Sequence, residues 1–216
     1  MLSNDIFIIG AGTYGEAMCE LAEHAGYTIA GFFDEDESKI GQTVMESLVI
    51  GKFSTLPAKY IKGRKFIVAI GNNEIRCNLM EFINKHNGET PTLIHSSAVI
   101  SPTAKIGQGV YIQANATVWT KVEIKDYCIL SPGVVIAHHT MVERGCLVST
   151  LTSVGASIKI KEKVFIGMGC TIVTGLNQIG ESTIIGAGTV LLQDAESHSV
   201  YVGTPGRKIK SLVGII

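Results

Sequence analysis

The chain has 216 residues and a formal net charge of −1, which argues against a polyanion such as DNA or RNA as its partner. Twenty-four glycines and only 17% charged residues are unusual for a helical protein and suit a turn-rich β architecture. The five cysteines (19, 77, 128, 146 and 170) form no C-x-x-C pair, so they read as small buried hydrophobes in a reducing compartment, not as disulfides or a zinc site. The start "MLSNDIFIIGAG" lacks a basic n-region, and no window reaches about 18 apolar residues, so a cytoplasmic protein without membrane contact is expected.

Residues 1–92 alternate β and α patterns. "DIFIIG" is an apolar run ending in a glycine turn, "AGTYGEAMCELAEHAG" an amphipathic helix closed by Gly26, and "YTIAGFFDED" a second strand ending in acid. "KFIVAIGNNEIRCNLMEFINKHNG" then repeats strand, turn and helix, which predicts a small parallel sheet of the doubly wound kind. The segment Gly10 to Gly15, "GAGTYG", fits G-x-G-x-x-G at the mouth of a helix, where backbone N–H groups and the helix dipole can meet a phosphate. The same glycines could instead serve only tight strand-to-helix packing. Asp34 ends the next strand, where a carboxylate can accept a hydrogen bond from a ribose or base. One such half suits a mononucleotide-sized ligand better than a dinucleotide. A second turn, "IGNNEIR", puts Gly71, Asn72 and Asn73 at the carboxyl end of a strand, where open α/β sheets place ligands.

From residue 95 an aliphatic side chain returns at every sixth position, from Ile100 through Ile112, Ile124, Ile136, Val148 and Ile160 to Ile172. Two residues before each stands a mostly small side chain, such as Ala98, Ala116, Val134 or Thr152. A helix would space its apolar residues by three or four and a meander by two, so a period of six means short strands separated by turns, three to a coil. The series slips by one near "GLNQIG" and resumes at Ile185 and Leu191. Residues 95–192 are therefore expected to form a parallel β-helix of hexapeptide repeats, about five coils long. In this register "VVIAHHTMVERG" turns Ile136 and Val142 inward and leaves His138 and His139 at a turn, pointing out. Cys128, Cys146 and Cys170 share the inward phase, which argues against their being nucleophiles.

The motifs "IIGAGTYGE", "FFDED", "VAIGNNEIR", "LIHSSAVISPTAKIG" and "VYVGTPGRKIK" occur in the order that resembles the bacterial nucleotide-sugar acetyltransferases of the PglD and sialic-acid O-acetyltransferase type. The resemblance covers essentially the whole chain. It implies an α/β plus β fold: a small Rossmann-like, nucleotide-sugar-binding domain over 1–92 and a left-handed β-helix acetyltransferase domain over 93–216 with a CoA-binding tail. The nucleotide sugar would meet Gly12, Thr13, Tyr14, Asp34, Glu35, Gly71 and Asn72. The family's catalytic histidine falls on His138. Acetyl-CoA would lie between adjacent β-helices of a homotrimer, along Gly155, Ala156, Gly167, Met168, Gly186 and Ala187, with Gly203, Arg207 and Lys208 in the tail near its phosphates.

The chain departs from the family at three positions. His139 stands where an acid usually follows the catalytic histidine, Leu147 where a second histidine is common, and Ser131 where asparagine is frequent. Glu143 or an acid of a neighbouring subunit could take the missing carboxylate's role. The expected reaction is direct acetyl transfer to the amine of a nucleotide-linked amino sugar for surface glycan or polysaccharide synthesis. In it His138 is the base, His139 assists it, and the Ala156 N–H steadies the oxyanion. Two other functions fit the same chain: O-acetylation of a sugar hydroxyl, and a non-catalytic scaffold that displays a nucleotide sugar. No metal is expected, because adjacent His138 and His139 diverge and His95 and His198 fall at the ends of the prism.

Overall fold

The computed structural model describes residues 4–212, which form two compact units divided between Leu93 and Ile94. In the first, β1 (Asp5–Ile9), α1 (Thr13–His24) and β2 (Thr28–Phe33) precede a hairpin of β3 (Thr43–Val44) and β4 (Ser47–Gly51), followed by β5 (Lys65–Val68) and α2 (Asn73–Lys85). The sheet order is β3-β4-β2-β1-β5, parallel except for β3. The apolar runs at Ile6, Ile8, Phe32, Phe66 and Ile67 are fully buried, and Phe7 stacks on Phe66 with centroids 5.6 Å apart. Each helix buries one stripe, Met18, Leu21 and Ala22 (i, i+3, i+4) in α1 and Cys77, Met80 and Ile83 (i, i+3, i+6) in α2. The chain order reverses between β1 and β5, so the loops after these strands lie side by side at the carboxyl edge, the place where such sheets bind ligands.

The second unit is the parallel β-helix that the six-residue series predicts, left-handed as the family resemblance implies. Two-residue strands such as Thr117–Val118, Glu123–Ile124 and Ile129–Leu130 stack in parallel on the strands 18 residues later, Val135–Ile136, Met141–Val142 and Leu147–Val148. The aliphatic column is fully buried from Ile112 to Ile166, and so are Cys128, Cys146 and Cys170 in the small column. Threonines in that column satisfy their hydroxyls locally: Thr140 Oγ1 donates to Gly155 O at 2.8 Å, and Thr152 Oγ1 to Gly167 O at 2.7 Å. The slip in the series is a one-residue insertion between Thr171–Ile172 and Gln178–Ile179, where Leu176 is buried. After Leu191 a strand, Ser199–Val202, pairs antiparallel with Arg207–Ser211 and ends the prism.

From Gly109 onward the turns place one residue with positive φ at every sixth position: Gly109, Asn115, Lys121, Tyr127, Gly133, His139 and Gly145, among others. A non-glycine residue there carries a strain of about 1–2 kcal/mol. The repetition fixes three edges, here called corners. One corner holds Thr150–Leu151, Met168–Gly169 and Ala187–Gly188; the next holds Thr120–Lys121, His138–His139 and Ala156–Ser157; the third holds Asp126–Tyr127 and Arg144–Gly145.

Candidate active site

The first unit offers a cradle at the ends of β1 and β5. A Cβ on Gly10, whose φ is +105°, would sit 2.9 Å from Ala69 O, and one on Gly15 would collide with the Gly10 carbonyl. Packing thus accounts for two of the three motif glycines. Gly12 is different: nothing lies within 4 Å of its would-be Cβ, so its bareness opens space at the N-terminus of α1, where Thr13 begins the helix and Tyr14 is half-buried. Asp34 shapes this loop. Its Oδ2 accepts the Ala11 N–H at 2.8 Å and Lys39 Nζ at 2.9 Å, and its Oδ1 accepts the Asp36 N–H at 2.9 Å. Burial works against ionising this carboxyl, but the bonds from Asp36, Lys39 and Ala11 together hold it below its usual range.

Two expected ligands are engaged locally. Glu35 spends both oxygens on Ser54, accepting its N–H at 3.0 Å and its hydroxyl at 2.6 Å. Asn72 caps α2, its Oδ1 accepting the Ile75 N–H at 3.0 Å, while Gly71 is exposed beside it. Sequence reasoning missed Arg76, which is fully buried in the turn it serves. Its guanidinium donates to Ile70 O at 3.2 Å and to Asn73 Oδ1 at 2.8 Å.

In the β-helix, His138 and His139 are exposed on one turn, as the register predicts. Their Nδ1 atoms are 3.1 Å apart and their rings nearly perpendicular, at 88°. A contact between two imidazole Nδ1 atoms holds one proton, so one ring donates and the other accepts, and both Nε2 atoms face away from the bond. If His138 is the donor, its Nε2 carries the lone pair that a base requires. The ladder fixes the turn: His139 N–H donates to Thr120 O and Ser157 N–H to His138 O, both at 3.0 Å. Glu143 does not supply the missing acid. It lies beyond the strand Met141–Val142 and pairs with Lys161 at 3.2 Å, in a cleft of about 250 Å³ that contains none of the expected site residues.

The expected CoA positions divide between two corners. Gly155 and the buried Ala156 stand beside the histidines, one coil on, whereas Gly167, Met168, Gly186 and Ala187 stand at the previous corner. Glycine at 155 and 167 is required by stacking, since a Cβ there would lie 2.5 Å from Thr174 N or Ala187 N. The Ala156 N–H, expected to meet an oxyanion, already donates to Thr174 Oγ1 at 3.1 Å, so that hydroxyl must give way first. In the tail, Gly203 has φ +97°, Arg207 is exposed, and Lys208 pairs with Glu196 at 2.7 Å. Among the described residues no group of three or more His, Cys, Asp or Glu could hold a metal ion, and no helix is long and apolar enough to cross a membrane. All five cysteines are buried and outside any disulfide, and burial pushes Cys19 up to about 11.

Known proteins share both units. Residues 5–83 match the PglD N-terminal domain, and residues 89–186 match the GMPPB C-terminal domain. The crystal structure of PerB from Caulobacter crescentus, in complex with CoA and GDP-perosamine, superimposes with a TM-score of 0.87 at 28% identity, covering 95% of this chain and 97% of that one. The chain thus joins a PglD-type N-terminal domain to a hexapeptide-repeat β-helix. The chain is 27% identical over 186 residues to the GDP-perosamine N-acetyltransferase of Escherichia coli O157:H7, covering 84% of this chain and 82% of the relative. It is also 33% identical over 112 residues to the serine acetyltransferase of Synechococcus elongatus, covering 51% of this chain but only 41% of that relative's length.

Proposed function

We propose that this protein moves the acetyl group of acetyl-CoA to the amine of a nucleotide-linked amino sugar, with His138 as general base. The observation that carries the reading is the exposed Nδ1–Nδ1 contact between His138 and His139, in a chain similar along nearly its whole length to an enzyme solved with CoA and GDP-perosamine. In the reaction the amine nitrogen attacks the thioester carbonyl, and His138 Nε2 takes the proton that the nitrogen sheds as the C–N bond forms. The tetrahedral adduct collapses, the C–S bond breaks, and the sulfur leaves as thiolate, to which the imidazolium can return the proton. His139 accepts the Nδ1–H of His138 and so holds the lone pair on Nε2, the work that an acid does elsewhere in the family.

The nucleotide part is assigned to the cradle around Gly12, Thr13, Tyr14, Asp34 and Gly71. Acetyl-CoA is assigned to the corners carrying Ala156, Met168 and Ala187. Because those corners are different edges of one prism, the reading is of a homotrimer in which one copy supplies the histidine corner and its neighbour the Met168 corner. Five buried cysteines outside any disulfide support a reducing cytoplasm as the setting.

The test is thiol release from acetyl-CoA in the presence of GDP-, UDP- and dTDP-linked 4-amino sugars. Release that requires one of these sugars supports the reading. Thermal stabilisation by a nucleotide sugar with no thiol release by any of them would make the protein a scaffold instead.

A further inference from the structure

Trp119 is the only tryptophan in the chain, and the steps above do not use it. It follows Val118, which is buried in the prism, so strand alternation sends the indole outward, and 47% of the residue is exposed. Its ring centroid is 6.4 Å from that of His138, with the planes 31° apart. The ladder bonds Trp119 N–H to Ile136 O, Ala137 N–H to Val154 O and Gly155 N–H to Ile172 O put Trp119, Ala137 and Gly155 in one outward column. A broad indole is therefore followed by a methyl group and then a hydrogen. The indole therefore stands out beside His138, next to positions where only a methyl group and a hydrogen project.

The geometry points to Trp119 as the platform that holds the acceptor sugar and favours an amine over a hydroxyl. This rests on the acetyl-transfer reading and deepens it. An aliphatic amine arrives mostly as its ammonium, and an indole face attracts a cation within about 6 Å of its centre more strongly than any other side-chain ring. The C–H groups of a deoxy sugar pack on the same face. A hydroxyl acceptor carries no charge and gains only the second contact. The attraction belongs to the ammonium and falls away in the neutral amine that reacts. Trp119 therefore acts on substrate binding, and its loss appears in KM while kcat stays level or rises.

The test uses the full chain, with GDP-perosamine and a UDP-linked 4-amino-4,6-dideoxy sugar as probes, continuing with whichever gives the faster thiol release. Trp119→Ala should raise the KM of that sugar about fivefold to tenfold and Trp119→Phe about twofold to threefold, with the acetyl-CoA KM unchanged. As the sole tryptophan, it should also change its fluorescence when the amino-sugar nucleotide binds but not when the bare nucleoside diphosphate does. If wild type releases thiol yet Trp119→Ala keeps the sugar KM, the platform is wrong and the acetyl-transfer reading stands. If both KM values rise together as the assembly dissociates, Trp119 belongs to subunit packing and the platform is again wrong. If neither sugar supports thiol release, the acetyl-transfer reading for these acceptors fails and takes the platform with it.

Discussion

Substitution at His139 separates the backbone demand of the turn from the chemistry of the ring. Its φ of 61° strains any L-residue by about 1–2 kcal/mol, whereas glycine escapes the strain and instead loses about 0.5–1 kcal/mol to chain entropy. The two nearly cancel. His139→Gly should therefore leave stability within about 0.5 kcal/mol of wild type, the range usual for surface changes, while deleting the imidazole. Without its Nδ1 partner 3.1 Å away, the His138 ring loses its orientation, and kcat should fall about threefold to tenfold. Aspartate tolerates positive φ better than the longer glutamate, so His139→Asp is the variant that restores an acid without opposing the turn. At about 4 Å, even in the dielectric of water, a carboxylate attracts the imidazolium formed during transfer by about 1 kcal/mol, or about fivefold in rate. His138→Ala should cost at least about 100-fold in kcat. Steady-state thiol release and thermal melts on the four proteins check these values together. If His138→Ala turns over normally while His139→Gly is dead, the base is the second histidine. If both turn over normally, histidine base catalysis at this turn is refuted.

Three further predictions concern the first unit. Asp34→Asn should weaken nucleotide-sugar affinity at least about tenfold by releasing the Ala11 N–H and Lys39, and should leave CoA affinity unchanged; isothermal titration with each ligand decides it. Because the Asp34 carboxyl is held below its usual range, its contribution is complete above about pH 4 and is lost as pH falls through the folded value. The melting difference between wild type and Asp34→Asn should therefore shrink on acidification, and a difference that grows would contradict the assignment. Arg76→Met should destabilise the chain by about 2–4 kcal/mol, since the half-buried Ile70 carbonyl and the Asn73 side chain lose their donor. Denaturant melts read that cost directly.

The β-helix was legible because its rule is strictly local: one inward aliphatic residue every six positions determines strand, turn and stacking, and the slip at Leu176 costs one residue. The βα units were legible for the same reason, whereas the β3–β4 hairpin was not, its turn at Met45 and Glu46 having positive φ without a glycine to announce it. The site divides along similar lines. His138 and His139 were placed by register alone. The engagements of Glu35 by Ser54, Asn72 by α2 and the Ala156 N–H by Thr174 depend on residues 3 to 19 positions away that only the folded chain brings together. Trp119 was open to the same register argument as the histidines, being an outward aromatic one coil earlier. Arg76 was hidden because a charged side chain on an amphipathic helix ordinarily faces water.

The division of the expected CoA residues between two corners can be tested without a ligand-bound structure. Suppose that each site takes the histidine corner from one copy and the Met168–Ala187 corner from its neighbour. His138→Ala then destroys one half of every site, and a bulky charge at the exposed Ala187, as in Ala187→Arg, obstructs the other half. Each homotrimer should be inactive. Unfolded together and refolded in equal amounts, the two chains would distribute at random. A site is then intact when its histidine corner comes from the Ala187→Arg chain and its other corner from the His138→Ala chain, so about a quarter of sites recover. Activity near a quarter of wild type per subunit, appearing only after subunits exchange, is the expected result. If a complete site lay on one copy, every site in the mixture would carry a defect and mixing would restore nothing. Recovery absent after verified exchange would therefore overturn the shared site, even if both single variants behave as expected.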